Sequence, residues 1–398
     1  MKKFNLITLA LASLASTSFT SQAVELHSQI GIEARYFTQD PAQSEQTDTQ
    51  GAIRGEFEFY WDLGGNGNNF IFKPYFRADS EDSERHLIDI REAMYLHVGD
   101  DWEVRAGVGK VFWGVTETLH LVDIINQTDQ LAAFDGEEKL GQPMVQLSLI
   151  RDWGVLEAFV LPYFREADFA GAEGRLRAPL PILDEAKYED DDEENHIDFA
   201  LRWSHTLGDW DVGLSLFDGT SRQAEFLPTV TKDGLALQAF YPQIQQAGLD
   251  AQMVSGDWLW KLEAINRTGD LITDYTAAIG GFEYTLVGLF DSDMDLGLVA
   301  EYSYDDRDDA GVTANQNDLI LGTRWVLNDA ESTEVLMGFS QDLDYSDTQS
   351  LFIEGSTRVG ESTVISLDAW FFTSDDPEEI SYNVRKDDFI QLDVAFYF

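Results

Sequence analysis

The 398-residue chain contains no cysteine. No disulfide can staple it, and no thiolate can act as a nucleophile or soft metal ligand. Basic residues are scarce: 26 Lys and Arg face 73 Asp and Glu, a formal net charge of −47. Such a chain repels nucleic acid, anionic lipid and polyanions in general, so nucleic-acid partners are excluded. Histidine is sparse too, and His27, His86, His97, His120, His196 and His205 form no H-E-x-x-H or comparable zinc spacing. Long hydrophobic runs are also missing. No stretch after the N-terminus reaches the ~18 consecutive apolar residues of a membrane-crossing helix, and the mean hydropathy is −0.24. Any membrane residence must therefore use strands.

Enzymatic readings fail for want of groups. His205 with Thr206 is the nearest approach to a lipid-facing hydrolytic pair, and it lacks a nucleophile. Gly64-Gly65-Asn66-Gly67-Asn68 is glycine-rich, but no helix follows to receive a phosphate. No cofactor is implied. The acidic run Glu189, Asp190, Asp191, Asp192, Glu193 and Glu194 offers at most weak divalent-cation binding, and a mobile solvated loop is its plainer reading.

What the chain does have is alternation. Residues 1–23 read as a secretory signal, with Lys2 and Lys3, an apolar Leu6–Ala15 core and Ser21-Gln22-Ala23 before the cleavage point. Residues 24–398 then form one domain. Its last strand, Phe389 to Phe398, sets Ile390, Leu392, Val394, Phe396 and Phe398 on one face and mixed residues on the other. A strand of a soluble sandwich could carry that pattern. Seventeen further strands of similar character precede it, joined alternately by short and long connections. The expected fold is thus all-β, a transmembrane antiparallel barrel of about 18 strands, with 16 as the alternative count. Three short turns, Gly99-Asp100-Asp101-Trp102, Gly208-Asp209-Trp210 and Gly256-Asp257-Trp258, place Trp directly after a tight hairpin. Arg151-Asp152-Trp153-Gly154 is a variant, and together they predict an aromatic girdle at one rim.

Parity assigns faces. Ile53, Phe57, Phe59 and Trp61 should meet lipid while Arg54, Glu56, Glu58, Tyr60 and Asp62 face the lumen. Two residues break the pattern. Pro74 cannot donate to a ladder and asks for a bulge or a pairing gap. Glu92 falls on the lipid parity of Ile88, Ile90, Met94 and Leu96, which predicts a bulge or a bound partner there. By the same parity His27, His97 and His196 face the lumen.

The C-terminal strand resembles that of Gram-negative outer-membrane proteins, which end in Phe with apolar residues at alternate positions before it. The resemblance implies residence in the bacterial outer membrane among lipid and lipopolysaccharide, and an assembly signal read by the barrel-assembly machinery. A narrower likeness covers residues 90–114. Ile90-Arg91-Glu92-Ala93-Met94-Tyr95-Leu96, Gly99-Asp100-Asp101-Trp102-Glu103-Val104-Arg105-Ala106-Gly107 and Val111-Phe112-Trp113-Gly114 are similar to a poorly characterised group of proteobacterial outer-membrane barrels. Asp101 is extra to that pattern, and Gly109-Lys110 stands where Gly-Arg is expected.

A barrel of ~16 to 18 strands is too wide for strand side chains to fill. The connection between the fifth and sixth strands is long and carries many apolar residues, so it needs a wall to lie against. It is the third external loop, which in general porins folds into the lumen. On that resemblance residues 114–141 are expected to narrow the lumen, with Glu117, Asp123, Asp129, Asp135, Glu137 and Glu138 at the constriction; an extracellular flap is the alternative. The first five strands point Arg35, Arg54, Lys73, Arg77, Arg91 and Arg105 inward. Later strands supply an acidic wall of Glu283, Asp295, Glu301, Glu334, Glu354 and Asp368. That balance predicts a passive, porin-like channel for small hydrophilic solutes or ions with a modest cation preference. The competing reading is a non-conducting barrel whose acidic external loops form an adhesion or interaction surface. The porin resemblance also implies a homotrimer.

Overall fold

The computed structural model describes residues 24–307 and 313–398; the expected secretory signal, residues 1–23, lies outside them. The first strands are β1 (Val24–Phe37), β2 (Thr49–Asp62), β3 (Asn69–Asp79), β4 (Leu87–Val98), β5 (Trp102–Gly109), β6 (Gln142–Arg151) and β7 (Gly154–Leu161). A two-residue β8 (Lys187–Tyr188) precedes β9 (Asp198–Leu207) and β10 (Trp210–Thr220), and a hairpin of β11 (Glu225–Thr231) and β12 (Gly234–Tyr241) follows. Next come β13 (Gln243–Ser255), β14 (Trp258–Thr268), β15 (Tyr275–Leu286), β16 (Asp295–Asp305) and β17 (Asn317–Val326). The chain ends with β18 (Glu334–Asp342), β19 (Gln349–Val359), β20 (Thr363–Thr373) and β21 (Phe389–Tyr397).

Eighteen of these strands form one sheet, and β8, β11 and β12 form a separate three-stranded one. Each of the eighteen pairs antiparallel with its chain neighbours, and β1 pairs with β21 from Gln29 opposite Tyr397 to Phe37 opposite Phe389. The sheet therefore closes on itself and has no free edge. The chain's final residue takes part in the seal: Ser28 and Phe398 exchange backbone hydrogen bonds, both 3.0 Å long.

Alternation sorts the faces. Ile32 and Tyr36 on β1, Leu214 and Leu216 on β10, and Ile390, Leu392 and Phe396 on β21 all stand exposed on the outside. The residues between them, such as Glu33, Arg35, Ser215, Gln391 and Asp393, are buried within. An apolar outer belt with a polar interior on an even-stranded closed barrel is the arrangement of outer-membrane barrels, which is what this chain is. At the short-turn rim, Gly208 and Gly256 hold φ of 68° and 63°, as two-residue hairpins between twisted strands require. Trp210 and Trp258 follow them, exposed on the outer face. Trp258 stacks on Trp260 at 5.4 Å and packs on Tyr284 at 4.6 Å.

The break in pattern at Pro74 and Glu92 is one feature. On the β2 side, pairing runs from Glu56–Tyr75 to Phe59–Phe72 with the step at Pro74 left open. On the β4 side, Lys73 lies opposite Glu92 but Pro74 opposite Ile90, so Arg91 is an extra residue. This bulge reverses the parity of the rest of β4. Glu92 turns into the lumen, 3.4 Å from the Lys73 ammonium, which also pairs with Glu58 at 2.8 Å. Met94, expected on the lipid face, packs inside against the loop core, while Tyr95 is exposed outside opposite Phe70. His97, expected in the lumen, moves with Tyr95 to the outer parity and lies 5.1 Å from the Trp102 ring.

The small sheet is an addition to the expected fold. It sits among the external loops, where β12 pairs parallel with β8 and Phe164 and Tyr241 pack edge to face at 4.7 Å. Pro228 inside β11 argues against a strand locally; an edge position in a two-sided hairpin tolerates it.

Candidate pore constriction

Residues 110–141 join β5 to β6, and their apolar side chains find their partners inside the barrel. Trp113, Val122, Ile124 and Ile125 are buried with the inward residues Met144 and Phe159 of β6 and β7, Phe217 of β10 and Ile265 of β14. Val122 is 0% exposed. The loop therefore lies on the inner wall along one half of the ring, and the apolar content that would be costly in water is removed from it.

Two wall carboxylates fix the loop's backbone. Glu263 on β14, fully buried, accepts hydrogen bonds from the amides of Val115 (2.7 Å), Thr116 (3.0 Å) and Val122 (3.2 Å) and from the Thr116 hydroxyl (2.7 Å). Glu301 on β16 accepts from the amides of Glu117 (2.7 Å) and Thr118 (3.1 Å) and the Thr118 hydroxyl (2.8 Å). Buried anions survive only when so satisfied, and here the donors belong to the loop. Glu117 then projects between Lys261 of β14 at 3.2 Å and Arg324 of β17 at 2.5 Å. Burial raises the Glu117 carboxyl, but these two cations outweigh it and hold it below its usual range. The loop has thus crossed from β5 to strands far around the ring.

Its return limb binds the opposite side. Asp129 is buried between Arg77 of β3 at 3.1 Å and Arg91 of β4 at 2.5 Å. Burial pushes its carboxyl up, and the two guanidiniums bring it below normal. Arg85, from the connection after β3, donates to the Leu131 carbonyl at 2.9 Å. Phe134 meets the rings of Trp370 and Phe372 on β20, each at 5.0 Å. Between the limbs, His120 donates to Glu137 at 2.7 Å and lies 3.8 Å from Glu263. These two carboxylates raise the imidazole to about 10, so it is protonated at neutral pH.

Of the six acids expected at the constriction, two are placed elsewhere. Asp129 is enclosed by its arginines, and Asp123 is buried as a turn clamp, accepting from the amides of Trp113 (2.7 Å) and Gly114 (3.1 Å). Glu117 is committed to its two cations, and Asp135, Glu137 and Glu138 stand exposed on the loop's free side. Glu138 lies 3.7 Å from Lys110.

The inward bases are mostly neutralised. Arg35 lies 3.7 Å from Glu33, donates to Gln391 at 2.7 Å and covers the Phe389 ring, and Arg54 chelates Asp393 at 2.8 and 3.2 Å. Lys73 serves Glu58 and Glu92, and Arg77 and Arg91 serve Asp129. Arg105 alone is loosely held, 3.8 Å from Glu103 with its side chain 47% exposed. On the acidic wall, Glu283 lies 3.7 Å from Arg324, and Glu301 is consumed by the loop. Asp295 belongs to a rim turn, bonded to the Gly288 amide and the Asn328 side chain at 2.9 Å each, and Glu334 is exposed at the start of β18. Glu354 and Asp368 face each other across β19 and β20, and neither forms an ion pair among the described residues. The unpaired charge beside the loop is therefore negative, with Asp135, Glu354 and Asp368 as its sources.

Several structural anchors escaped sequence reading. Parity alone marks Glu263, Glu157, Arg202 and Asp250 as inward, yet nothing local signals that Arg202 and Asp250 form a bidentate pair at 2.6 and 2.8 Å under Trp113. Register across distant strands decides such pairs. In the acidic run, Glu189 accepts from the Gln243 amide at 2.8 Å and Asp190 from Asp192 at 2.8 Å. Among the described residues no three His, Cys, Asp or Glu side chains converge closely enough to hold a metal.

No family model matches the chain, and no curated protein matches it. Among solved structures, the outer-membrane-expressed OmpT of Vibrio cholerae is 10% identical, covers 95% of this chain and 99% of its own, and superposes with a TM-score of 0.45. Two mutants of the Rh. blastica porin are 13% and 14% identical, each covering 94% of this chain and 100% of their own, with TM-scores of 0.47 and 0.46. These are likenesses of general form. The closed eighteen-strand outer-membrane barrel stands on this chain's own strand pairing.

Proposed function

We propose that the barrel is a passive diffusion channel for small hydrophilic solutes and ions, narrowed by residues 114–141 and modestly cation-preferring. The observation that carries this reading is the imbalance beside the loop: Asp135, Glu354 and Asp368 form no ion pair among the described residues, while five of the six expected inward bases are engaged. Unpaired charge at a narrow section sets ion preference. Engaged bases contribute little net field beyond their partners.

A second reading keeps the lumen closed. Arg175, in the connection after β7, donates to Asp387 at 2.6 Å and to the carbonyls of Thr47 (3.2 Å) and Gln39 (3.3 Å). That connection is strapped across to the loops flanking β1 and β21, which favours a covered entrance. Single-channel recording of the folded protein in a planar bilayer, under a salt gradient, separates the two. Discrete steps with a cation-biased reversal potential support the channel, an anion bias refutes the acidic constriction, and silence from a folded barrel supports the closed surface protein.

A further inference from the structure

The β19–β20 hairpin presents an ordered strip to the lumen. Glu354 is paired across the strands with Asp368, and one step further along the same face Phe352 is paired with Trp370. Phe352 and Trp370 stack at 5.0 Å with planes 22° apart. Phe134 of the loop closes on Trp370 edge to face at 5.0 Å, and is itself 39% exposed. Asp135 follows Phe134 directly and is exposed, and it accepts from the Glu137 amide at 2.9 Å. An aromatic corner made by Phe134 and Trp370 thus adjoins carboxylates that form no direct ion pair among the described residues.

Residues two apart along a strand are separated by about 7 Å. A group bound between the acid pair and the aromatic pair touches both. An alkali ion gains little from the rings, because it keeps its water. An alkylammonium is weakly hydrated and carries its charge on a greasy surface, so it profits from ring faces and carboxylates together. A neutral sugar stacks on rings too, but it gains nothing from the charge of an unpaired acid pair.

We propose that Phe134 and Trp370, with Glu354, Asp368 and Asp135, form a lumenal subsite for small organic cations of the alkylammonium class. The proposal rests on the channel reading only in requiring that the lumen be wet. Loop anchoring explains why Phe134 lies on β20, but it gives no reason for an unpaired acid pair immediately beside the rings.

The test uses two probes of five heavy atoms each, tetramethylammonium and neutral tert-butanol, with glucose as the sugar control. Binding to the folded barrel is read by saturation-transfer NMR, which does not depend on conduction. Tetramethylammonium should bind and tert-butanol should not. A Phe134→Leu/Trp370→Leu variant, which keeps apolar bulk against the loop, should bind it about three- to tenfold more weakly. A Glu354→Gln/Asp368→Asn variant should weaken it by at least as much. The subsite is refuted if tert-butanol or glucose binds as well as the cation, or if the leucine variant retains wild-type binding. Potassium chloride conductance is measured alongside. A barrel that binds the cation without conducting overturns the channel and keeps the subsite; a conducting barrel without binding does the reverse.

Discussion

Removing Glu263 should release the loop that the wall now holds. Its carboxylate takes four hydrogen bonds from Val115, Thr116 and Val122. A hydrogen bond to a charged group contributes about 1.5–3 kcal/mol. The four share two oxygens and are not additive, and released amides on the loop's wet side regain water, so Glu263→Ala should cost the bound loop about 3–6 kcal/mol. Val122 and Ile124 still pack on the wall, so the outcome is fluctuation rather than ejection. At 3 kcal/mol the population of the detached loop rises about 150-fold. Single-channel records should then show excess open-channel noise and a larger mean conductance, and protease should cut within residues 114–141. Glu263→Gln, which keeps one acceptor oxygen but points an amide at the loop's donors, should fall between. Quiet wild-type-like conductance and intact protease resistance in a folded Glu263→Ala barrel would refute the anchoring role.

Deleting Phe398 removes both backbone bonds to Ser28 at the seam, and the yield of folded barrel on refolding into bilayers should drop, with strands other than β1 and β21 unaffected in the fraction that folds. Replacing Lys73 by Met leaves Glu58 and Glu92 facing each other half-buried, which should destabilise the barrel by about 1–2 kcal/mol, between surface and buried limits, in urea titrations; adding Glu92→Gln should restore most of it. Glu354→Gln with Asp368→Asn should move the reversal potential toward neutrality, and an unmoved potential would sink the acidic constriction. The His120–Glu137 contact defines a pH window. Glu263 and Glu137 raise His120 to about 10 from 6.5, so its contribution is complete below 6.5 and is lost as pH climbs through about 10. The His120 contact lowers Glu137, so that contribution is present above its ordinary 4.5 and is lost as pH falls through its lowered value. Open-channel noise should therefore rise at alkaline pH, and His120→Gln should be noisy throughout.

The strands were legible because a half-buried strand has a period of two, and lipid outside with water inside gives each strand two contrasting faces. Ile390 to Phe398 and Ile53 to Trp61 carry that contrast plainly. Parity persists only while the ladder is regular, which is why simple alternation puts Met94 and His97 on the wrong faces beyond Arg91. The same stretch also held the warning, since Pro74 and Glu92 fit no regular ladder. The site was legible in kind, as inward charge and an apolar loop, but not in pairing. Arg54 meets Asp393 and Arg324 meets Glu117 across hundreds of residues, and no spacing in the chain encodes those registers. Asp123 and Asp129 look like their neighbours in sequence; only burial separates a clamp from an exposed acid.

The wall carboxylates of Glu263 and Glu301 mostly hold main-chain amides of the loop. On the channel reading, aperture and chemistry are thereby controlled by different parts of the molecule. Exposed loop side chains such as Asp135 and Glu138 can be exchanged without loosening the ties that fix the loop's path. A lineage or an engineer can therefore retune what the lumen attracts while leaving its bore alone.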